Sequence, residues 1–195
     1  AMEISVFAIH PNLEVGFLDE NGALLRATLQ LSGQHNLQNA KTAIAVGKYF
    51  KVPGLEIVKG LAGYRSSNHR SQMMKHRDVH FYWDAYNANP SSVEAALAGF
   101  SADHVANDAV VILGEMLELG EVTPAAHRQV ALRAGQVART VVLVGSAMKA
   151  VAEEIERPWF ADSDQLAKWF WRQDWTGKTV FVKGSRGNRL EQLLA

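Results

Sequence analysis

Apolar positions fall into two regimes along the chain. Up to about residue 62 they form short runs: residues 3–9, 13–19 and 24–31 read as strands, broken by His10-Pro11-Asn12 and Glu20-Asn21-Gly22. Asn-Gly between two such runs is a hairpin signal, because the turn needs residues that accept positive φ. The three runs predict an antiparallel meander. After Gly33 the period lengthens, with Leu37, Ala40, Ile44 and Gly47 spaced along one face of a helix over 36–50. Pro53-Gly54 ends that helix and a shorter one follows at 55–62. Three strands and two helices make a thin core for a free-standing domain, so these residues are expected to be part of something larger.

The polar stretch Arg65-Ser66-Ser67-Asn68-His69 reads as a linker, and beyond it strand and helix alternate. Strands are predicted near 70–76, 79–84, 109–113, 140–144, 157–160 and 179–183, and helices near 90–101, 124–138, 147–155, 163–172 and 187–194. Val110-Val111-Ile112-Leu113 and Val141-Val142-Leu143-Val144 are continuous apolar runs, as strands covered on both faces require. The expected fold class is α/β: a Rossmann-like, mostly parallel sheet with flanking helices, preceded by a small antiparallel meander and two helices. The predicted boundary falls between residues 1–66 and 67–195.

Composition narrows the partners. Lys and Arg total 20 and Asp and Glu total 20, so no basic face points to nucleic acid or an anionic membrane. Cysteine is absent, which removes disulfides and thiolate metal sites. No apolar run is long enough to span a bilayer, and Met2 to Ile9 reads as a strand rather than a leader. Ala1 before Met2 resembles a tag remnant.

Two nucleotide motifs are missing. Gly177-Lys178-Thr179 has the ending of a phosphate-cradling loop, but Arg172 stands where its first Gly belongs and the tripeptide precedes a strand. It reads as a turn. The Gly-x-Gly-x-x-Gly dinucleotide fingerprint does not occur either. His69, His76 and His80 lack metal-ligand spacing, and Trp169, Trp171 and Trp175 read as a packing patch.

The stretch Asp84-Ala85-Tyr86-Asn87-Ala88-Asn89-Pro90 carries the most chemistry. It follows the strand Phe81-Tyr82-Trp83, and Asn89 with Pro90 suits the N-cap and first position of a helix. Asp84 is thus expected at the C-terminal end of a parallel strand, the edge where α/β sheets take ligands. It can serve a ligand there or simply cap nearby amides. His127 is expected in the first turn of its helix, facing the sheet, either as a satisfied core histidine or as a residue of a ligand pocket.

Tyr86-Asn87-Ala88-Asn89-Pro90 is similar to the YNANP motif of the D-alanyl-D-alanine-adding branch of the Mur ligase family. Four further matches follow the family's order: Gly33-Gln34-His35-Asn36-Leu37-Gln38-Asn39, Asn68-His69-Arg70-Ser71-Gln72, Gly114-Glu115-Met116-Leu117-Glu118-Leu119-Gly120 with His127, and Lys183-Gly184-Ser185-Arg186-Gly187 with Glu191. Trp83, Glu115 and Leu190 depart from the usual residues. The resemblance implies an ATP-dependent amide ligase of bacterial peptidoglycan synthesis, working in the cytoplasm with magnesium and as a monomer. Its substrates would be UDP-N-acetylmuramoyl-tripeptide and D-alanyl-D-alanine.

Residue by residue, the resemblance gives nucleotide contacts to Asn36, Asn39, Arg70 and Asp84. The carboxamide of Asn39 would read adenine, and Asp84 would meet the ribose hydroxyls. It makes Asn87, Asn89, His127, Ser185 and Arg186 candidates for the dipeptide. The Gly184–Gly187 turn is expected to gather backbone amides around a carboxylate. Residues 1–66 would be the tail of a central ATP-binding domain, so the chain alone would be inactive and would hold no metal ligands. Another Mur-type ligase, or a non-catalytic nucleotide-binding or interaction module, fits the same residues.

Overall fold

A computed structural model describes residues 4–9, 12–31, 33–64 and 72–195, which divide into two units, Ala1–Ser66 and Ser67–Ala195. In the first unit β1 (Ile4–Ala8), β2 (Leu13–Leu18) and β3 (Leu24–Leu29) pair antiparallel in the order β1-β2-β3. Leu13 and Val15 of β2 lie opposite Leu29 and Ala27 of β3, so the strand period of two puts all four on one buried face. Helices α1 (Gln34–Tyr49) and α2 (Gly54–Gly63) supply Leu37, Ala40, Ile44, Ile57 and Leu61 to the same core. Gly47 lets the two helices approach, since a Cβ there would stand 2.9 Å from Ile57 Cδ1.

The β2–β3 hairpin forms where the sequence predicts it, but not as a two-residue Asn-Gly turn. The last strand pair is Leu18 with Leu24, and only Gly22 in between has positive φ, at 81°. Asp19 holds the longer loop, its Oδ1 accepting the amides of Asn21 and Ala23, each at 2.8 Å.

The second unit contains β4 (Gln72–His76), β5 (Val79–Asp84), α3 (Pro90–Asp103), β6 (Ala109–Gly114), α4 (Thr123–Val137), β7 (Thr140–Val144), α5 (Lys149–Glu154), β8 (Trp159–Phe160), α6 (Ser163–Phe170) and β9 (Thr179–Lys183). Its sheet has the order β4-β5-β9-β6-β7-β8. Only β4 is antiparallel. It turns into β5 through Arg77 and Asp78, both at positive φ (44° and 64°), the backbone that a two-residue hairpin requires.

Helices cover both faces. Val93, Ala96, Leu97 and Phe100 of α3 join Val130, Ala131 and Ala134 of α4 and Val151 of α5 over one face, against Tyr82, Val111, Leu113, Leu143 and Phe181. Leu166 and Phe170 of α6 join Leu190 and Leu193 over the other, against Phe81, Trp83, Val110, Ile112, Val142 and Val182. This layering is the α/β, mostly parallel architecture that the alternating pattern predicts.

The last predicted helix, 187–194, is instead two 3-10 turns, Arg186–Asn188 and Leu190–Leu194. Arg189 between them adopts the left-handed conformation (φ 50°, ψ 42°), which no α-helix continues through. The Gly177-Lys178-Thr179 tripeptide is a turn into β9, with Gly177 at φ 71° and the Lys178 amide donating to the Trp175 carbonyl. Among the described residues, no helix is long and apolar enough to cross a membrane.

Candidate active site

Chain exits decide where this sheet can open. From β5 and β6 the chain passes into α3 and α4 on one face, whereas from the intervening β9 it turns to the opposite face, into the Leu190–Leu194 turn. Neighbouring strands whose connections leave to opposite sides create a crevice at their C-terminal ends. β9 shares such an edge with both neighbours.

Between β5 and β9, Asp84 and Lys183 are direct partners in the parallel register. Lys183 Nζ donates to Asp84 Oδ2 at 2.6 Å and to the Asn87 carbonyl at 3.0 Å. The two side chains are 12% and 3% exposed for Asp84 and Lys183 respectively. An ammonium ion so deeply placed needs a partner charge and further acceptors; the carboxylate and the Asn87 carbonyl provide them. The β5–α3 loop is thereby fastened to the end of β9.

That loop is built as its sequence dictates. Asn89 is the N-cap of α3, with Pro90 in the first turn. Its Oδ1 accepts the Ser92 amide at 2.8 Å, and its own amide donates to Ser92 Oγ at 3.1 Å, closing a capping box. Asn89 therefore has its side-chain oxygen committed to the helix, which leaves less of it for a dipeptide. The exposed Asn87 accepts the Ala88 amide at Oδ1. Arg186, also exposed, lies with its guanidinium 5.7 Å from the centre of the Tyr86 ring, so the two loops meet at the surface too.

Between β9 and β6, three successive amides of the loop after β6 are each taken by a side chain. The Glu115 amide donates to Asn188 Oδ1 (3.1 Å), the Met116 amide to His127 Nε2 (2.7 Å) and the Leu117 amide to Ser185 Oγ (3.0 Å). Asn188 also donates through Nδ2 to the carbonyls of Glu115 and Ser185, both at 2.8 Å. A Cβ on Gly114 would stand 2.9 Å from Asn188 Cγ, so a glycine is needed beneath this amide. Glu115 reaches away from the crevice, its Oε2 accepting the Ala147 amide at 2.9 Å. The longer acid thus braces the turn after β7.

Two expectations are revised by these contacts. His127 has no exposed surface; Nε2 accepts from Met116, so the ring proton sits on Nδ1, 2.7 Å from the Thr123 carbonyl. It shapes the loop from behind, with both ring nitrogens used, and presents nothing to a dipeptide. In the Gly184–Gly187 turn, the Ser185 amide donates to the Glu115 carbonyl at 3.3 Å, so a carboxylate cradle made of amides would lack that one. Ser185 keeps its hydroxyl proton to donate, because its oxygen is the acceptor for Leu117.

The remaining nucleotide candidates are not among the described residues of the second unit. Asn36 and Asn39 are on α1 in the first unit, Asn36 buried and Asn39 exposed. Gly33, at φ 90°, is the N-cap of that helix, so Asn36 does not cap it. Arg70 lies outside the described residues. The structure gathers Asp84, Asn87, Ser185 and Arg186 at one edge, and it gives roles to two residues that the sequence assigns none, Lys183, the first residue of the quoted Lys183–Gly187 motif, and Asn188. The motif and the charge closing the apolar run Thr179–Val182 mark Lys183 but not its partner; Asn188 has no signal, because its role depends on a turn predicted as helix. Among the described residues no group of three or more His, Cys, Asp or Glu is placed to hold a metal ion.

The chain resembles known proteins in both sequence and fold. Residues 69–186 match the family described as Mur ligase, glutamate ligase domain. The chain is 27% identical over 177 residues to the UDP-N-acetylmuramoyl-tripeptide–D-alanyl-D-alanine ligase of Bacillus subtilis, covering 85% of this chain and 38% of the relative. It is 34% identical over 171 residues to the same-named ligase of Treponema pallidum, covering 84% and 37%. The chain thus spans well under half the length of these relatives. In fold it resembles the crystal structure of MurF ligase from Thermotoga maritima in complex with ADP, with a TM-score of 0.74, 18% identity, and coverage of 100% of this chain and 44% of that one.

Proposed function

This chain belongs to the Mur ligase family, and from that premise we propose that its parent protein joins D-alanyl-D-alanine to UDP-N-acetylmuramoyl-tripeptide at the expense of ATP, in the bacterial cytoplasm. In that reaction ATP phosphorylates the terminal carboxylate of the peptide and the dipeptide amine attacks the acyl phosphate, releasing phosphate. The first unit is the end of an ATP-binding domain, carrying Asn36 and Asn39 for the base. The second is the Mur ligase C-terminal domain, in which Asp84 meets the ribose and Arg70 reaches the phosphates. Asn87, Ser185 and Arg186 receive the dipeptide, with Arg186 suited to its carboxylate by its planar fork of donors. No phosphate-cradling loop occurs in these 195 residues, so the chain alone does not turn over ATP. Magnesium serves the phosphates, and none of the described residues is assigned to it.

The observation that carries this reading is the meeting of the YNANP loop and the Lys183–Asn188 turn across one crevice, tied by Lys183. It supports an acceptor site beside a nucleotide site, which a simple binding module would not need. The test is to supply the ligase-length protein with ATP, magnesium and the tripeptide precursor, and to offer D-alanyl-D-alanine or single amino acids in parallel. Release of ADP and phosphate with formation of the pentapeptide precursor is expected only with the dipeptide. Turnover with a single amino acid in its place, or with no acceptor, overturns the proposal.

A further inference from the structure

We propose that Lys183 is a positioning residue that makes the nucleotide-side acid and the acceptor-side loop a single unit, so that a ligand held at either improves binding at the other. This rests on the ligase reading above and extends it to how the two subsites communicate. Lys183 stands at the junction. It is the last residue of β9, paired on one side with Asp84 of β5 and on the other with Leu113 of β6. Its backbone continues directly into Gly184, Ser185 and Arg186, while its ammonium holds Asp84 and the Asn87 carbonyl.

The surroundings make this link stiff. On the acceptor side, Gly184 approaches the Gly114 backbone so closely that a Cβ would stand 3.0 Å from Gly114 Cα. Asn188 and Ser185 bind the loop after β6, so the Lys183–Asn188 segment has little freedom to move alone. At the end of β5, the capping box fixes the β5–α3 loop at Asn89. A displacement of Ser185 or Arg186 on ligand binding is therefore transmitted through the short, buried Lys183 contacts to Asp84 and Asn87. Coupling between sites is reciprocal in binding free energy, so nucleotide bound at Asp84 must favour the dipeptide to the same degree.

The test uses the ligase-length protein and measures the dissociation constant of ADP with and without saturating D-alanyl-D-alanine, and that of the dipeptide with and without ADP. In the natural protein each ligand is expected to tighten the other by the same factor, on the order of fivefold or more. In Lys183→Met, with Asp84 kept in place, that factor is expected to fall to about one, the affinity for each ligand alone being measured beside it. Lys183→Arg keeps the charge and is expected to retain part of the coupling. A merely structural role would lower the unfolding midpoint and leave the coupling factor intact, and that result overturns the inference. If the natural protein binds both ligands without coupling, the inference fails and the ligase reading stands. If it binds neither, the ligase reading fails and the inference with it.

Discussion

At the C-terminal ends of β5 and β9 a charged pair is buried and bonded together; at the N-terminal ends of the same strands and of β6 the charged side chains are partly or fully exposed. Lys183 and Asp84 represent the first region, with side chains 3% and 12% exposed. Lys178 and Asp108 represent the second, 3.4 Å apart and 34% and 57% exposed, alongside the fully exposed carboxyls of Asp78 and Asp174. The tryptophans near that second end satisfy their ring N–H groups locally, Trp171 with the Leu193 carbonyl and Trp175 with that of Phe170, as a packing patch should. One sheet thus has an end that water can stabilise without help and an end that depends on exact partners. Groups that must bind a ligand in a set geometry belong to the latter kind.

The contrast can be broken most severely at Lys183. Replacing it with Met takes the ammonium away from the buried Asp84 carboxylate, and a loss of up to about 3–5 kcal/mol is expected. All five tryptophans, Trp83, Trp159, Trp169, Trp171 and Trp175, lie in the second unit, so their fluorescence during urea unfolding reads that unit alone. Adding Asp84→Asn is expected to recover a large part of the loss; a double variant no more stable than the single one would show that the pair is not the source.

Next come the braces of the loop after β6. His127→Ala strands the Met116 amide, at a cost of about 1–3 kcal/mol by the same measurement; Asn188→Ala costs less, because the Glu115 amide keeps the Val144 carbonyl and the Glu115 carbonyl keeps the Ser185 amide. If either change is neutral, the three-amide arrangement does not organise the loop.

At the opposite end the expected effects are small and local. The Asp174 carboxyl is held below the ordinary carboxylate range by the Thr176 hydroxyl and then by the Thr176 amide. A group depressed in the folded state contributes stability above its unfolded value and loses it as pH falls through its folded value. Thr176→Ala is expected to raise the Asp174 titration toward the usual range in an NMR pH series, with a small loss of stability at neutral pH that disappears as the pH falls below the carboxylate range. An unchanged titration would refute the assigned cause.

Much of the fold is legible along the chain because its signals are local and repeated. The apolar runs at 110–113 and 141–144 become β6 and β7, and Asn89-Pro90 becomes the capped start of α3. The end of the chain reads as helix because Leu190, Leu193 and Leu194 carry a helix-like period, while the left-handed Arg189 that separates their turn from Arg186–Asn188 leaves no mark in composition. Site residues divide the same way. Asp84, Asn87, Ser185 and Arg186 are marked by motifs that sit next to strand ends. Lys183 and Asn188 act across the sheet on residues 99 and 73 positions away, and no local pattern records such a partnership. His127 was legible as a sheet-facing histidine, but its bond to the Met116 amide decides its role, and that bond needs the folded loop.

The measurement that tests the central claim most directly is the map of amide chemical shifts when D-alanyl-D-alanine is added to the isotopically labelled, ligase-length protein in the presence of ADP. The account predicts that within this chain the shifts concentrate at Asn87 and at Ser185, Arg186 and Asn188, with a response at Lys183 and Asp84 and none at the strand starts Val79, Ala109 and Thr179. Shifts centred on those strand starts, or ligation of the dipeptide with no perturbation at either crevice loop, would contradict it.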